Sequence, residues 1–599
     1  GYLDGFVDRA SLKNLTSLKN DVKVVVDSGY ITTYGTGGFA GDANGIFRNI
    51  TLENIKNFDV KVDFDFNLPP DFEWGTEWIY GVGGFAGSIF GFVDGISLKN
   101  MGNFTFKTNY GDPYEYFTNL GGFAGYIANG NFSNISLNNI KNLKVENNEK
   151  SSNLGGFAGL IGNGSFEGIS LKTIHDLTYH KKDKESYNVL SLGGFAGRIN
   201  NGFYDKISLD DIKNLSIQAY SSSNNRYYLG GFAGIIDIGE FKNIFLNNIN
   251  NIKAKETSNS IFSYSLGGFA GRIGYSYLSA LNSAKFNNIF LQNINTIEVY
   301  ANNSNSHSYG HSVKIGGFAG VIESGKYENI YLDNINNFNT NINGTWHDGR
   351  SNGIGGFAGV IEVVYLNSPN LYKNIYLTNI KNLKASGRDV KIGGFAGNIS
   401  LGENSGKFEN IILKDIHNIE SKDSPIAGFI AGFSRHWYAD YHNNGKLTFN
   451  NIFIDGIKNM SITGSKEYSS AADIYGFAPK YDNSSYSLLK LNNIHVYFHP
   501  DSILINNVKG GVIYKFGSIS NDISEYSNIH IYHHKNDFTD IMSNINTNKF
   551  TTHIYGDDNK DEIYQDFKSK YNLAKPNIEK PNITNPELPQ IIGKPILPN

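Results

Sequence analysis

Short runs of alternating apolar and polar residues recur along almost the whole chain. In one run the apolar positions are Phe132, Ile135, Leu137, Ile140, Leu143 and Val145. Steps of two residues predict β-strands with alternate side chains pointing inward, and steps of three residues predict a bend between strands. We therefore expect three short strands in this run, near residues 122–127, 132–137 and 143–145.

These runs belong to a repeat built on the pentapeptide Gly-Gly-Phe-Ala-Gly. The pentapeptide occurs ten times, with its first glycine at positions 37, 83, 121, 155, 193, 230, 267, 316, 355 and 393. A second block follows each pentapeptide and in the third copy contains Asn-Ile-x-Leu, at residues 134–137; the shared part of a copy is about 24 residues long. The spacing between copies varies from 34 to 49 residues. Length variation therefore falls at two points, after the third strand and before the Phe of the second strand.

A copy of this size cannot bury a core alone, so the copies must stack on one another. The sequence predicts an all-β fold, a right-handed parallel β-helix (β-solenoid) of about 13 coils with variable loops on one face. The pentapeptide Phe should stack on its equivalents, and the Asn before Ile should take left-handed conformations at corners. The glycines should allow positive φ or close stacking. A β-propeller ranks lower, because the shared part is too short for four strands.

The quality of the repeat divides the chain into four parts. These are a truncated first repeat or cap (1–36), the ten-copy solenoid (37–425), degenerate repeats with a C-terminal cap (426–545) and a proline-rich linker or tail (546–599). Six of the 13 prolines lie in residues 576–599, a composition typical of an extended polyproline spacer. Residues 561–572 are expected to form a short helix before it. Such a spacer suggests a further domain beyond it.

Composition excludes several classes of function. The net charge is -4 and charged residues are 18% of the chain, so the basic stripe of a nucleic-acid-binding protein is missing. The chain has no cysteine, which removes disulfides, cysteine-based zinc sites and thiol nucleophiles. No segment resembles a signal peptide, and the longest apolar run, residues 79–93, is too short to span a bilayer. An export signal or anchor is expected outside this sequence.

The motif also resembles a known family. Gly-Gly-Phe-Ala-Gly-x-Ile followed by Asn-Gly-x-Phe, as in Gly121–Ile127 and Asn129–Phe132, is similar to the GLUG-type glycine-rich repeats of bacterial surface proteins. Such repeats occur in filamentous-haemagglutinin-like adhesins and autotransporter passengers, and the resemblance covers about residues 37–480. The Asn-Ile-x-Leu block departs from that pattern. The resemblance implies type V secretion through an outer-membrane barrel, in cis or in trans, and a role in adhesion and virulence at the cell surface.

Aromatic residues among carboxylates are the candidate binding contacts, because rings stack on sugars and acids accept hydrogen bonds. The richest segment is 59–80, and the alternative is a hairpin that covers a gap with its own small core. The candidate residues are Phe64, Asp65, Phe72, Trp74, Trp78, Trp346, Trp437 and Tyr438. The tyrosine-rich stretch 220–228 is a second candidate contact surface.

Three functions remain open at this point. The first is an adhesin or passenger that presents loops to host-cell glycans or proteins. The second is a spacer that delivers a C-terminal toxin or barrel domain. The third is a polysaccharide-degrading enzyme, which would need paired carboxylates. An ice-binding solenoid would need a flat, regular face that the loops interrupt.

The enzyme ranks last because the acids that interrupt the repeat form no visible cluster. These acids are Asp210, Asp211, Asp333 and Asp415. Weak metal or catalytic candidates exist in polar stretches, namely His347 with Asp348, His436 with Asp440 and His442, and the pair His533 and His534. The chain is expected to be no enzyme and to need no cofactor.

Overall fold

A computed structural model describes most of the chain, and the structural statements that follow concern these residues. They are 1–26, 33–66, 78–108, 116–147, 151–181, 188–219, 225–256, 262–274, 283–302, 312–343, 352–363, 370–386, 390–402, 404–435, 445–464, 472–479, 488–517, 524–538 and 550–571.

The chain builds two large sheets of parallel strands, one with 25 strands and one with 13. Each full copy gives the smaller sheet one strand, which ends at the first glycine of the pentapeptide or its equivalent. These strands are β3 (Thr33–Gly37), β6 (Trp78–Gly83), β8 (Tyr116–Gly121), β10 (Ser151–Gly155), β13 (Asn188–Gly193), β16 (Asn225–Gly230), β19 (Phe262–Gly267), β22 (Ser312–Gly316), β25 (Gly353–Gly355), β28 (Lys391–Gly393), β31 (Ile426–Ala427), β34 (Ile474–Tyr475) and β36 (Ile513–Tyr514).

The larger sheet holds the remaining strands, and one helix follows it. Its strands are β1 (Tyr2–Lys13), β2 (Leu18–Val26), β4 (Ala40–Glu53), β5 (Asn57–Phe66), β7 (Ala86–Thr108), β9 (Ala124–Asn147), β11 (Ala158–Ile161), β12 (Ser165–Lys181), β14 (Ala196–Ile199), β15 (Phe203–Ala219), β17 (Ala233–Ile236), β18 (Glu240–Glu256), β20 (Ala270–Ile273), β21 (Lys285–Asn302), β23 (Ala319–Ile322), β24 (Gly325–Asn343), β26 (Ala358–Val363), β27 (Asn370–Ala385), β29 (Ala396–Leu401), β30 (Gly406–Lys422), β32 (Phe433–Arg435), β33 (Lys446–Thr463), β35 (Leu488–Asn506), β37 (Ser524–His534) and β38 (Phe550–Tyr555). The helix is α1 (Lys560–Ser569), which confirms the short helix expected from the sequence.

Equivalent residues of neighbouring copies pair side by side. Ile135 pairs with Ile169, and Ile169 pairs with Ile207, in parallel register. A β-propeller is excluded, because its blades are antiparallel sheets, whereas the copies here join through parallel strands. The all-β, stacked-repeat architecture of a β-solenoid is thus confirmed.

The first strand of each copy begins earlier than the sequence predicts. In the copy around Gly121 the smaller sheet takes Tyr116–Gly121, and β9 then starts at Ala124. The predicted strand at 122–127 therefore contains a bend at Gly122 and Phe123. β9 also continues to Asn147 through the expected bends. The residues before the pentapeptide vary between copies, which hides their strand character in the sequence.

A continuous ladder of phenylalanine rings runs through the core, as the sequence predicts. Neighbouring rings stack with centroids 4.7–5.1 Å apart. The ladder includes the degenerate copies, where Phe516 rather than the Gly510–Gly511 pair marks the equivalent position. Its members are Phe39, Phe85, Phe123, Phe157, Phe195, Phe232, Phe269, Phe318, Phe357, Phe395, Phe429, Phe477 and Phe516. The stack of copies is therefore unbroken over these positions.

A second ladder of rings meets the first edge-on. It runs from Phe132 to Phe449, with centroids 4.6–5.1 Å apart along the ladder. Phe166, for example, stacks on Tyr204 at 4.8 Å and meets Phe195 of the first ladder at an angle of 89°. Both face-to-face and edge-to-face contacts are favourable arrangements of aromatic rings. The two ladders share the core with buried aliphatic residues such as Ile169 and Leu171.

The two expected roles of glycine fall on different glycines. A Cβ on the second glycine of the pentapeptide, such as Gly231, would collide with the carbonyl oxygen of Gly268 in the next copy. Close stacking is therefore the reason for glycine there. The glycine before the Phe or Tyr of the second strand has positive φ instead, 140° at both Gly202 and Gly239, a conformation that L side chains rarely adopt.

The asparagines at the corners adopt the left-handed conformation that the sequence predicts. Asn243 and Asn248, at the two corners of one copy, have φ of 51° and 55°. Their side chains join neighbouring copies: Asn288 Nδ2 donates to Asn243 Oδ1 at 3.1 Å, and Asn293 Nδ2 donates to Asn248 Oδ1 at 3.0 Å. Each corner thus carries a ladder of amides, which satisfies side-chain polar groups where the backbone turns.

Candidate binding face

The aromatic residues singled out in the sequence lie mostly outside the described residues. Phe72, Trp74, Trp346, Trp437 and Tyr438 fall there, as do His347, Asp348, His436, Asp440 and His442. Only the backbone of Phe64, Asp65 and Trp78 is described: Phe64 and Asp65 lie in β5, and Trp78 starts β6. A binding role for these residues stays a prediction.

Several polar or aromatic residues assigned to loops belong to the core. Tyr80 is 4% exposed and shares a hydrogen bond of 2.8 Å with Thr36. Tyr227 and Tyr228, in the stretch expected to be a contact surface, are 0% and 1% exposed within β16. They are core residues, because the strand before the pentapeptide carries them into the smaller sheet.

His533 and His534 are also buried, at 2% and 7% exposure. His533 Nδ1 lies 2.8 Å from the carbonyl oxygen of its neighbour, and burial lowers the pKa of His533. The pair is therefore part of the packing at the end of β37.

A different set of residues forms a column on the outer surface of the larger sheet. They occupy the x position of Asn-Ile-x-Leu, between an Ile and a Leu that point into the core, so their side chains point away from it. The strand register aligns them one above the other. This outer column consists of Ser11, Thr51, Ser97, Ser136, Ser170, Ser208, Phe245, Phe290, Tyr331, Tyr376, Ile412, Phe453, His495 and His530.

The outer column changes chemistry along the chain. Six small hydroxyl residues come first, and four aromatic residues follow, which we call the aromatic segment: Phe245, Phe290, Tyr331 and Tyr376. Their centroids are 5.2, 4.9 and 5.0 Å apart in succession. The first three rings are only 4–9% exposed although they face outward. Ile412 and Phe453 extend the apolar surface to the histidines.

Carboxylates flank the column where the aromatic segment ends. Asp333, Asp415 and Asp455 are all close enough to Tyr376 to act on its hydroxyl, and burial together with Tyr331 and these charges raises the pKa of Tyr376 to about 12. Asp333 also accepts a hydrogen bond of 3.0 Å from Asn379. Aromatic rings beside carboxylates, which the sequence predicts for the loops, thus also occur on the strands.

Helix α1 packs on the last part of the outer column and its neighbours. Phe567 is 0% exposed and lies 5.1 Å from both Tyr497 and Tyr532. Beyond the helix, Tyr571 contacts the Phe453 ring at 5.2 Å and donates a hydrogen bond of 2.7 Å to Asp455.

Asp455 anchors this end of the helix. Its carboxylate accepts a second hydrogen bond, of 3.3 Å, from the hydroxyl of Tyr564. It is 1% exposed, and burial raises its pKa. The hydroxyls of Tyr564 and Tyr571 satisfy the buried carboxylate, which would otherwise be costly to keep away from water.

Three histidines stack beneath the helix. His495 and His530 have ring centroids 4.6 Å apart, and His530 Nδ1 lies 3.0 Å from His553 Nε2. His495 Nδ1 lies 3.3 Å from the Tyr532 hydroxyl. Burial, with smaller contributions from the other two imidazoles, lowers the pKa of His495 to about 3. The pKa values of His530 and His553 are also lowered by burial.

We expect acid to loosen the packing of α1. The folded protein keeps His495 neutral down to a pH of about 3, whereas the unfolded chain takes up a proton near pH 6.5. The stability that His495 contributes is therefore complete above pH 6.5 and decreases as the pH falls towards 3. The near-ultraviolet circular dichroism of the tyrosines around α1 should weaken between pH 6.5 and 4.5.

The matched control is His495→Phe, because Phe453 already occupies the same column position one copy earlier. This variant should keep more of the signal at pH 4.5 than the parent chain. The other charged or titratable groups that face His495 include His530, His553, Lys570 and Asp566 and the hydroxyl of Tyr532. An unchanged pH profile in the variant would assign the effect to those groups and contradict the role of His495.

The outer column leaves a pattern in the sequence that is missed when all copies are treated as equivalent. The x position of Asn-Ile-x-Leu changes in blocks, from mostly Ser to Phe and Tyr and then to His, while the residues on either side of it stay aliphatic. Aligning the copies and following each position separately would have found it. Since neighbouring copies pair in register, such a block must form one continuous surface.

Comparisons with known proteins give no relative. In the described part of the chain, no three His, Asp or Glu side chains meet in a way that could hold a metal ion. None of the described helices is both long and apolar enough to cross a membrane. No family model, curated protein or solved structure matches this chain, so its function is inferred from its own residues.

Proposed function

We propose that this chain is the stalk of a bacterial adhesin or secreted passenger, which presents its variable segments to host-cell glycans or proteins. It lies at the bacterial surface or outside the cell, after export through an outer-membrane barrel in cis or in trans. Its fold is a right-handed parallel β-helix of about 13 coils, with the variable loops on one face. The repeat resemblance and the absence of cysteine support this route.

One observation carries the proposal. The phenylalanine ladder continues from Phe39 to Phe516 with a spacing of 4.7–5.1 Å, although the ten pentapeptide copies are 34 to 49 residues apart. Extra residues between copies therefore leave the pairing register of the stacked strands unchanged. A stack of strands that tolerates insertions at fixed points is suited to displaying variable loops. In repeat proteins, the face that carries such loops is often the binding face.

Binding can be tested with the labelled chain on epithelial cells and a glycan panel. The strand bounds decide which residues the variant replaces, because β5 ends at Phe66 and β6 begins at Trp78. Residues 67–77, with Phe72 and Trp74, can be replaced by a short turn without cutting either strand. We expect saturable binding by the parent chain and at least a tenfold loss in this variant.

The matched control shortens residues 109–115, which occupy the same place in the next copy, between β7 and β8. It should bind like the parent chain. Unchanged binding after replacement of 67–77 would remove that segment from the contact surface. Absence of binding by every form would contradict the adhesin and favour the spacer.

A further inference from the structure

We propose that the proline-rich tail of this chain, residues 572–599, docks in an extended conformation along the aromatic segment of the outer column. The surface is defined by Phe245, Phe290, Tyr331 and Tyr376, and the occupant is the part of the tail that directly follows α1. The tail is thereby a built-in ligand of the stalk.

The direction of the chain at the end of α1 leads onto this surface. Phe567 packs on Tyr497 of β35 and Tyr532 of β37. Four residues later, Tyr571 packs on Phe453 of β33 and is close enough to Tyr376 of β27 for the two hydroxyls to interact electrostatically. Since β38, the last strand of the stack, ends at Tyr555, the chain between Tyr555 and Tyr571 runs back along the outer column, from the last copies towards the aromatic segment.

The surface under α1 and the aromatic segment are continuous. Tyr376 packs both against the cluster that contains Phe453, Tyr497 and Phe567 and against the cluster of Phe245, Phe290 and Tyr331. A segment leaving Tyr571 thus meets an apolar surface without crossing a polar gap.

The length of the tail fits the surface. Phe453 and Phe245 are five strand steps apart along the column, which is about 24 Å at about 4.8 Å per step. A polyproline segment advances about 3.1 Å per residue, so about eight residues span this distance. Counted from Tyr571, residues 572–579 therefore reach from Phe453 across the aromatic segment to Phe245.

The chemistry of the tail also fits. Leu573, Pro576 and Ile578 offer apolar groups at short intervals, and aromatic-lined surfaces are the common receptors for proline-rich segments, whose extended form loses little entropy on binding. Lys575 comes early enough to lie near the carboxylates that flank Tyr376, among them Asp333 and Asp415. Both apolar contact and charge thus favour the tail over a neutral, purely polar segment.

A cysteine pair in the full-length chain tests the docking directly, because the chain has no native cysteine. Gln292 lies two residues after Phe290 on β21, with its side chain partly exposed. Asn577 should reach this level of the column. In Gln292→Cys/Asn577→Cys, mild oxidation should form an intramolecular disulfide, measured as the mass shift of the monomer over time.

Two further variants of the double-cysteine protein test whether disulfide formation depends on the aromatic segment and on the tail. The second of them changes no residue of the folded column, so its result does not depend on folding. The first adds Phe290→Ser and Tyr331→Ser, since Ser occupies the same column position in five earlier copies. The second adds Pro576→Gly and Ile578→Ser in the tail and leaves the folded column unchanged. Each should slow disulfide formation at least tenfold.

The proposal is overturned if neither variant changes the rate, because the two thiols of a freely moving tail and the column would meet equally often in all three proteins. A disulfide that forms only between molecules, at a rate that rises with protein concentration, would also overturn it and would instead indicate that the surface receives a second copy of the chain.

Discussion

Gly231→Ala is expected to lower the free energy of unfolding by about 3 kcal/mol or more. An added Cβ would meet the carbonyl oxygen of Gly268 and would lie 2.5 Å from Cδ1 of Ile249. The backbone has little freedom to move away, because the amide of Phe232 donates to the carbonyl of Phe269 at 2.8 Å. Urea unfolding followed by far-ultraviolet circular dichroism would measure the loss.

Gly168→Asn is the control, and it is not expected to lower the free energy of unfolding. Gly168 has φ of 64° at a corner where Asn134 and Asn243 stand in other copies, and its nearest contact for a Cβ is Asn134 Oδ1 at 3.3 Å. Asn tolerates this conformation and reduces the freedom of the unfolded chain, so the variant should be neutral or more stable by up to about 1 kcal/mol. Equal losses in both variants would contradict the distinction between close stacking and positive φ.

Phe232→Ala should destabilise the chain by about 3–5 kcal/mol. Phe232 stacks between Phe195 and Phe269 with centroids 4.8 and 4.7 Å away, and its edge meets Phe241 at 6.0 Å. Truncation leaves a cavity between two copies and removes both stacking contacts, each worth about 0.5–1.5 kcal/mol. Because a repeat stack is held by contacts between neighbours, the two sides of the cavity should also unfold less cooperatively.

Limited proteolysis during urea unfolding would show this loss of cooperativity as fragments that end near residues 220–262. Tyr204→Phe provides the comparison in the second ladder, since it keeps the ring and removes only a hydroxyl that donates to the Asn201 carbonyl at 3.0 Å. Tyr204→Phe should lower the free energy of unfolding by about 1 kcal/mol. A similar cost for the two variants would mean that the rings do not join the copies.

The features that the sequence predicts correctly are those that every copy repeats. The stacking of Phe232 on its equivalents and the left-handed corners at Asn243 and Asn248 follow from side-chain chemistry and the repeat alone. The sequence also predicts the short helix α1, because residues 561–572 lack the glycines and the alternating pattern of the repeat.

The features that escape sequence reading depend on differences between copies. The strand before the pentapeptide is hidden because its residues vary, as in Thr118–Leu120 and Tyr227–Leu229, and only pairing with the neighbouring copy fixes it. The outer column is hidden for a similar reason: a single Phe245 or His495 is unremarkable until the register places it beside its equivalents. The location of Asp455 under α1 required contacts between residues more than one hundred positions apart.

The parallel register also has a mechanical consequence. Before the last copies, which α1 ties together through Asp455, the strands of each copy pair only with those of the copy on either side. Tension applied at the N-terminal end would therefore load the hydrogen bonds of the terminal copy first and detach copies one at a time. A released copy of 38 residues would supply about 130 Å of extended chain in exchange for about 5 Å of folded length. A stalk built in this way would limit the force that reaches anything bound to it, by lengthening under load.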